Sequence, residues 1–124
     1  MVDLLVDHGT IVTVDPAGRI IEDGAVAVDD GEIVAVGPSD EVRAQDDADR
    51  VLDADGHAVL PGFVIPHTHV SDIFFRGGMS NERSIYDWLY NVKKPGIHAM
   101  GPEDHAVASA LYAWEALRYG ITTF

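Results

Sequence analysis

The 124-residue sequence has no cysteine, which excludes disulfides, thiolate metal sites and cysteine nucleophiles. Any metal must therefore rest on histidine and carboxylate. Basic residues are scarce: six Arg and only Lys93 and Lys94 stand against 15 Asp and 6 Glu, for a formal net charge of −13. So acidic a surface is a poor match for nucleic acid, and the imbalance speaks to solubility rather than to fold. The start, Met1-Val2-Asp3-Leu4-Leu5-Val6-Asp7, has no basic n-region, and no apolar run is long enough to span a bilayer. Neither a signal peptide nor a membrane partner is expected, and the expected location is the cytoplasm.

What is present suffices for a core. The apolar fraction is 47%, and 12 Gly and 6 Pro are spread along the chain, so many turns separate short elements. The first sixty residues read as short β-like runs at 4–6, 10–14, 25–28, 33–36, 51–52 and 58–60. Asp30-Gly31 and Asp55-Gly56 supply the positive-φ chemistry of tight hairpin turns. Residues 38–48 read as a short polar helix or loop. The expectation is a small antiparallel sheet or half of a sandwich over 1–60.

At Pro61-Gly62 the pattern changes. Phe63-Val64-Ile65 is a continuous apolar run of the kind buried on both faces of a parallel sheet, so a second domain is expected over 61–124. Ser84 and Asp87 fit a capping box, with Ile85, Trp88, Leu89 and Val92 on one face of a short helix that Pro95-Gly96 ends. A longer helix is predicted over 102–119, with Val107, Ala110, Leu111, Trp114 and Leu117 as its buried stripe and Gly120 just past its end. Residues 121–124 begin another strand.

The most specific feature is His67-Thr68-His69. If it continues the strand from Phe63, a period of two sends both imidazoles to one face and Thr68 to the other. Their Cα atoms then stand roughly 6.6 Å apart, two strand rises, and each ring can lean to place a nitrogen roughly 2.1 Å from one shared ion. A bare H-x-H occurs by chance on polar loops, but here an apolar strand feeds it. In α/β barrels catalytic side chains sit at the C-terminal ends of strands, which is where this pair falls. His67 and His69 are the candidate metal ligands.

Pro61-Gly62-Phe63-Val64-Ile65-Pro66-His67-Thr68-His69, followed by Phe75-Arg76-Gly77, Asp87-Trp88-Leu89 and Gly120-Ile121-Thr122-Thr123-Phe124, resembles the amidohydrolase superfamily. Within it, the chain is similar to the branch of cytosine-deaminase-like, S-adenosylhomocysteine deaminase-like and s-triazine hydrolase-like enzymes. The likeness covers the whole chain, including Asp30-Gly31-Glu32-Ile33-Val34-Ala35-Val36-Gly37. It implies an α/β fold: a (β/α)8 barrel with a small composite β-sandwich, of which this chain would be the N-terminal portion, the barrel being incomplete in it. It implies one divalent metal ion, zinc first and iron second. A further His and an Asp from later strands would complete a mononuclear site, and the catalytic proton-transfer residues would lie beyond residue 124. The implied reaction is attack of a metal-activated hydroxide on an sp2 carbon of an N-heterocycle, with loss of ammonia or another leaving group. Expected partners are that small-molecule substrate, the remainder of the barrel and, left open, further copies of the chain.

Other residues carry two readings each. By the resemblance Trp88 lies near the substrate pocket; by its place in an apolar stripe it is core. Arg76 reads as a structural salt-bridge partner. Asp72 is either an outer partner of a metal-binding His or a solvated loop carboxylate. His8, His57, His98 and His105 lack metal-like spacing and read as ordinary hydrogen-bonded histidines. Pro66 stands where many relatives carry Asn. Where the S-adenosylhomocysteine branch holds ribose hydroxyls with a Glu, counting from Pro95 gives Ile97, which cannot accept them and favours a free base or triazine ring. Two alternatives remain: a cyclic-amide hydrolase with a binuclear site, and an inactive β-rich binding or scaffold relative. Taken alone, residues 1–124 are expected to be a fragment without hydrolytic activity.

Overall fold

The computed structural model describes residues 1–78 and 84–124. Contacts divide the chain into two compact units, Met1–Pro61 and Gly62–Phe124.

In the first unit β1 (Val2–Val12), β2 (Ile20–Asp29), β3 (Glu32–Pro38), β4 (Ala48–Asp53) and β5 (Ala58–Val59) form one sheet, and α1 (Ser39–Arg43) follows β3. The order is β3-β2-β1-β4, with β5 also on β1. Asp30 and Gly31 both have positive φ, 48° and 78°. They close the β2–β3 hairpin between the paired Asp29 and Glu32, as the sequence predicts for a primed turn.

The sheet is mixed rather than antiparallel. β4 and β5 both run parallel to β1, β4 beside Val2 to Asp7 and β5 beside Thr10 and Ile11. Asp55-Gly56 is therefore no hairpin: it carries the chain from one stretch of the β1 edge to the next. The runs at 4–6 and 10–14 are one strand, interrupted where the β1–β2 register shifts around His8 and Gly9. His8 has φ 58°, the left-handed residue of such an irregularity. Val2, Leu5, Ala25, Ala27 and Val42 form the core of this unit, with Ala35 and Ala48 packed against it.

The second unit begins with β6 (Phe63–Val64), which pairs in parallel with β7 (Ile121–Thr123). Between them come a 3-10 turn (Val70–Phe75), α2 (Ile85–Trp88), a π turn (Leu89–Lys93), α3 (Lys94–Ala99) and α4 (Pro102–Arg118). Ser84 caps α2, its hydroxyl accepting from the Asp87 N–H at 3.2 Å. α4 starts at Pro102, with the Asp104 carboxylate accepting from the Gly101 N–H at 2.8 Å. It ends before Gly120, whose φ of 73° no β-carbon opposes.

One expectation fails here, and two apolar faces stand uncovered. The apolar run at 63–65 is not buried: Phe63 is 54% exposed and Val64 63%, because a two-stranded sheet has nothing to cover it. Pro95-Gly96 does not end the helical stretch but opens α3. Proline has no N–H to donate and its ring crowds the preceding turn, and the wide turn at Leu89–Lys93 makes room for it. A β-carbon on Gly96 would strike the Phe75 ring, so only glycine lets α3 approach the 3-10 turn this closely. Finally, the stripe assigned to α4 is left uncovered within these 124 residues, as an incomplete barrel implies. Val107, Leu111, Trp114 and Leu117 are 58%, 39%, 57% and 66% exposed, while Ala108 and Ala116 are buried.

Candidate metal centre

The second unit brings His67 and His69 together, though not by the predicted strand. β6 stops at Val64; Ile65 makes one more ladder bond, its N–H donating to the Thr123 carbonyl at 2.9 Å. Pro66 has no N–H to continue, and Pro66 and His67 lie in a bend. The histidines thus stand on a loop just past the strand.

The two Nε2 atoms nevertheless converge to 3.4 Å, with the rings edge-to-face and their centroids 5.1 Å apart. That distance is long for a hydrogen bond between two nitrogens. It fits two donors on one tetrahedral ion, which at bond lengths of roughly 2.0–2.1 Å stand roughly 3.3–3.4 Å apart. Both imidazoles are exposed, and imidazole is a ligand for zinc and iron alike. Two histidines thus fit a divalent ion. Among the described residues no group of three His, Asp or Glu side chains gathers to hold one, so the pair is a partial ligand set.

The packed face of α4 explains why the loop has this shape. Thr68 turns away from the histidines and donates its hydroxyl to the Tyr112 hydroxyl at 2.8 Å. Ser71 Oγ lies 3.2 Å from His105 Nδ1. Arg76 donates to both oxygens of Glu115, at 2.6 and 2.7 Å, and this carboxylate raises the guanidinium pKa above its ordinary value. Residues 105, 112 and 115 lie on one stripe of the helix, with Ala108 and Ala116 small enough to let the loop approach. Polar anchors, not the Val107 stripe, hold the histidine loop.

Asp72 is neither of the things its sequence suggests. Its N–H donates to the His69 carbonyl at 2.9 Å, while Oδ2 accepts from the Lys93 ammonium at 2.8 Å. Lys93 is nearly buried, and its ammonium sits 5.0 Å from the centroid of the Trp88 ring. Trp88 ends α2 and is half-buried. The residues that sequence reasoning passes over are Lys93, Tyr112 and Glu115. A lysine in an otherwise Lys-poor chain is the one available signal.

The remaining histidines make ordinary hydrogen bonds. His57 Nδ1 meets the Asp55 carbonyl at 2.8 Å and His98 Nδ1 the Lys94 carbonyl at 2.7 Å. In the first unit His8 Nδ1 lies 3.0 Å from Asp23. The hydrogen bond that its ring N–H donates to Asp23 and the charge of Asp7 raise its pKa above the ordinary value, against the opposing effects of desolvation and Arg43.

Residues 24–45 match the bacterial imidazolonepropionase-like composite domain. The chain is 40% identical over 122 residues to a 5-methylthioadenosine/S-adenosylhomocysteine deaminase of Syntrophobacter fumaroxidans, covering 98% of this chain and 28% of that protein. It is 33% identical to a 5'-deoxyadenosine deaminase of Methanosarcina mazei, covering 100% of this chain and 28% of that one. Among solved structures, a zinc-bound adenosine deaminase from Xanthomonas campestris superposes with a TM-score of 0.89 at 34% identity, over 98% of this chain and 28% of that one. Atrazine chlorohydrolase from Arthrobacter aurescens, complexed with zinc, gives 0.80 at 28% identity, over 96% and 27%. The chain thus spans about 28% of the length of the curated relatives it matches. No helix among the described residues is long and apolar enough to cross a membrane. These relatives bear out the resemblance to the amidohydrolase superfamily, in its branch of adenosine-type deaminases and triazine hydrolases.

Proposed function

We propose that this chain carries the first two metal ligands of a metal-dependent aminohydrolase that removes an amino group from an N-heterocyclic substrate. The observation that carries the reading is the convergence of His67 and His69 Nε2 at 3.4 Å on a loop fed by a parallel strand. In this reading residues 1–60 are part of a small β-sandwich. Residues 61–124 are the first βα segment and the start of the second strand of a (β/α)8 barrel, whose C-terminal strand ends form the active site. The parallel pairing of β6 with β7 across a helical connection supports it.

His67 and His69 would hold one divalent ion, zinc in the first place. When bound, such an ion acidifies water and polarises the bond under attack. A catalytic zinc takes three protein ligands, so at least one ligand and the proton-transfer groups would come from residues beyond this pair. Within the chain, Thr68, Ser71 and Arg76 keep the histidine loop on α4, which fixes the direction of both imidazoles. Trp88 offers a flat apolar face to a heterocycle.

Two substrate classes compete, each on a specific observation. The named relatives act on adenosine-type nucleosides, whereas Ile97, half-buried in α3, offers a ribose no acceptor. Leaving a hydroxyl unpaired in a closed site costs roughly 1–3 kcal/mol, which favours free bases or aminotriazines.

The natural protein that contains this segment provides the test, by metal analysis and ammonia release from aminated bases, aminotriazines, adenosine and 5'-deoxyadenosine. The expected result is one zinc per chain and turnover of at least one class. His67→Ala and His69→Ala should each lose zinc by more than the roughly 10–100-fold that loss of an outer hydrogen-bond partner costs. Residues 1–124 expressed alone should release no ammonia. A metal-free, folded natural protein with no turnover would refute the reading.

A further inference from the structure

Lys93 is the one buried residue of the π turn, and its ion pair is out of place on stability grounds. Lysine is almost never buried unless paired. Replacing a buried ion pair by apolar side chains is often neutral or stabilising, so the pair calls for another explanation. Its geometry is specific. The wide turn takes in an extra residue and so sets Lys93 back about the axis relative to an unbroken α-helix, facing the 3-10 turn. There its ammonium meets Asp72 Oδ2 at 2.8 Å, with side chains 11% and 23% exposed.

Asp72 stands in the same turn as the histidine loop, its N–H bonded to the His69 carbonyl at 2.9 Å. Its other carboxylate oxygen, Oδ1, is buried and has no hydrogen-bond partner among the described residues. Lys93 is thus the counter-charge on which this carboxylate depends. The same ammonium lies over Trp88, 5.0 Å from its centroid. One continuous chain of contacts therefore runs from the His69 backbone through Asp72 and Lys93 to the Trp88 ring.

We propose that Lys93 and Asp72 are a positioning pair that holds the metal-ligand loop in register with Trp88, so that the metal and the face of the heterocycle are set by one ion pair. The inference rests on the metal-dependent reading of His67 and His69. The anchors on α4 at Tyr112, His105 and Glu115 fix the loop against the helix; the Lys93 pair ties it to the segment that carries Trp88. Without the ammonium, the carboxylate loses its one charged partner at 2.8 Å and must turn towards water, and the turn that carries the His69 carbonyl bond moves with it.

The test uses the natural protein with Lys93→Met, Lys93→Arg and the double variant Asp72→Asn with Lys93→Met. Three quantities are read: zinc affinity by competition with a chelator, hydrogen exchange over residues 67–76 in the metal-free protein, and KM and kcat on the substrate identified by the panel above. Lys93→Met should weaken zinc binding by about 10–100-fold, speed exchange of the Asp72 amide and raise KM. Lys93→Arg should recover most of the zinc affinity, and the double variant should be less impaired than Lys93→Met because no buried charge is left unpaired. A Lys93→Met protein with a lower melting temperature but unchanged zinc affinity and exchange would overturn the proposal. So would a Lys93→Arg protein as impaired as Lys93→Met. If the natural protein takes up no zinc at all, the metal-dependent reading fails. The exchange comparison then decides the pair by itself: unchanged exchange refutes it, and faster exchange retains its hold on the turn.

Discussion

In the sheet unit, Leu5, Ala25, Ala27 and Val42 close on one another and are at most 6% exposed. In the histidine-bearing unit the buried apolar residues among those described are Ala108 and Ala116, while Phe63, Trp114 and Leu117 are more than half exposed. What holds that unit's loop is a set of directed polar contacts: Thr68 with Tyr112, Ser71 with His105, Arg76 with Glu115 and Asp72 with Lys93. Apolar burial is non-directional and tolerates small shifts. Hydrogen bonds fail outside narrow distances and angles. Within these 124 residues the loop that aims two imidazoles at one point is therefore held by the directional kind of contact, and the sheet unit by the other.

Substitutions can break this contrast or sharpen it. The largest expected effect is in the sheet unit, where Leu5→Ala removes core volume and should cost about 2–5 kcal/mol in denaturant unfolding. Next comes Ala108→Leu, at a position with no exposed surface. Overpacking there should cost about 1–3 kcal/mol, and because it pushes α4 off the histidine loop it should also weaken zinc binding measured by chelator competition. The enlargement Val107→Leu on the exposed stripe of the same helix should do neither; equal effects from both would mean that α4 packs by the face its apolar periodicity suggests. Thr68→Val keeps the shape of the side chain but removes the bond to Tyr112. It should cost about 0.5–1.5 kcal/mol, with a loss of zinc affinity that exceeds its effect on the melting temperature.

The smallest effect concerns pH and belongs to the polar cluster around His8 in the sheet unit. The Asp23 hydrogen bond and the Asp7 charge raise the His8 pKa above its ordinary value of 6.5. The protonated form is therefore the one the fold prefers. Its contribution to stability is fully present below about pH 6.5, the unfolded value, and is lost as pH rises through the raised one. His8→Asn keeps a residue that tolerates the left-handed backbone and removes the titration. The denaturation midpoint of the variant should therefore change less with pH across that window, and an unaltered slope would show that His8 does not contribute in this way.

The amino-acid sequence by itself determines the part of the fold that near neighbours along the chain decide. Asp30-Gly31 makes its primed turn, Ser84 caps its helix, and α4 runs from Pro102 to Arg118 between a capping carboxylate and a glycine. Each rests on φ, ψ and hydrogen bonds within about four residues, so local composition is enough. The H-x-H spacing likewise picks out His67 and His69 by residue type and interval alone. Tertiary structure decides what depends on distant partners. The parallel pairing of β4 with β1 joins residues more than forty positions apart, and no turn signal records it. Apolar periodicity marks the side chains of α4 that could be buried, but only the folded chain shows that the helix meets the histidine loop through a second, polar face at His105, Tyr112 and Glu115. The Asp72–Lys93 pair depends on a single wide turn at Leu89–Lys93, which shifts every following side chain about the axis by about one residue's rotation. Residue type and spacing thus determine which groups could bind a metal. Only the packing of separate segments decides that the two nitrogens meet, because the directions of two rings on a loop are fixed by contacts outside it.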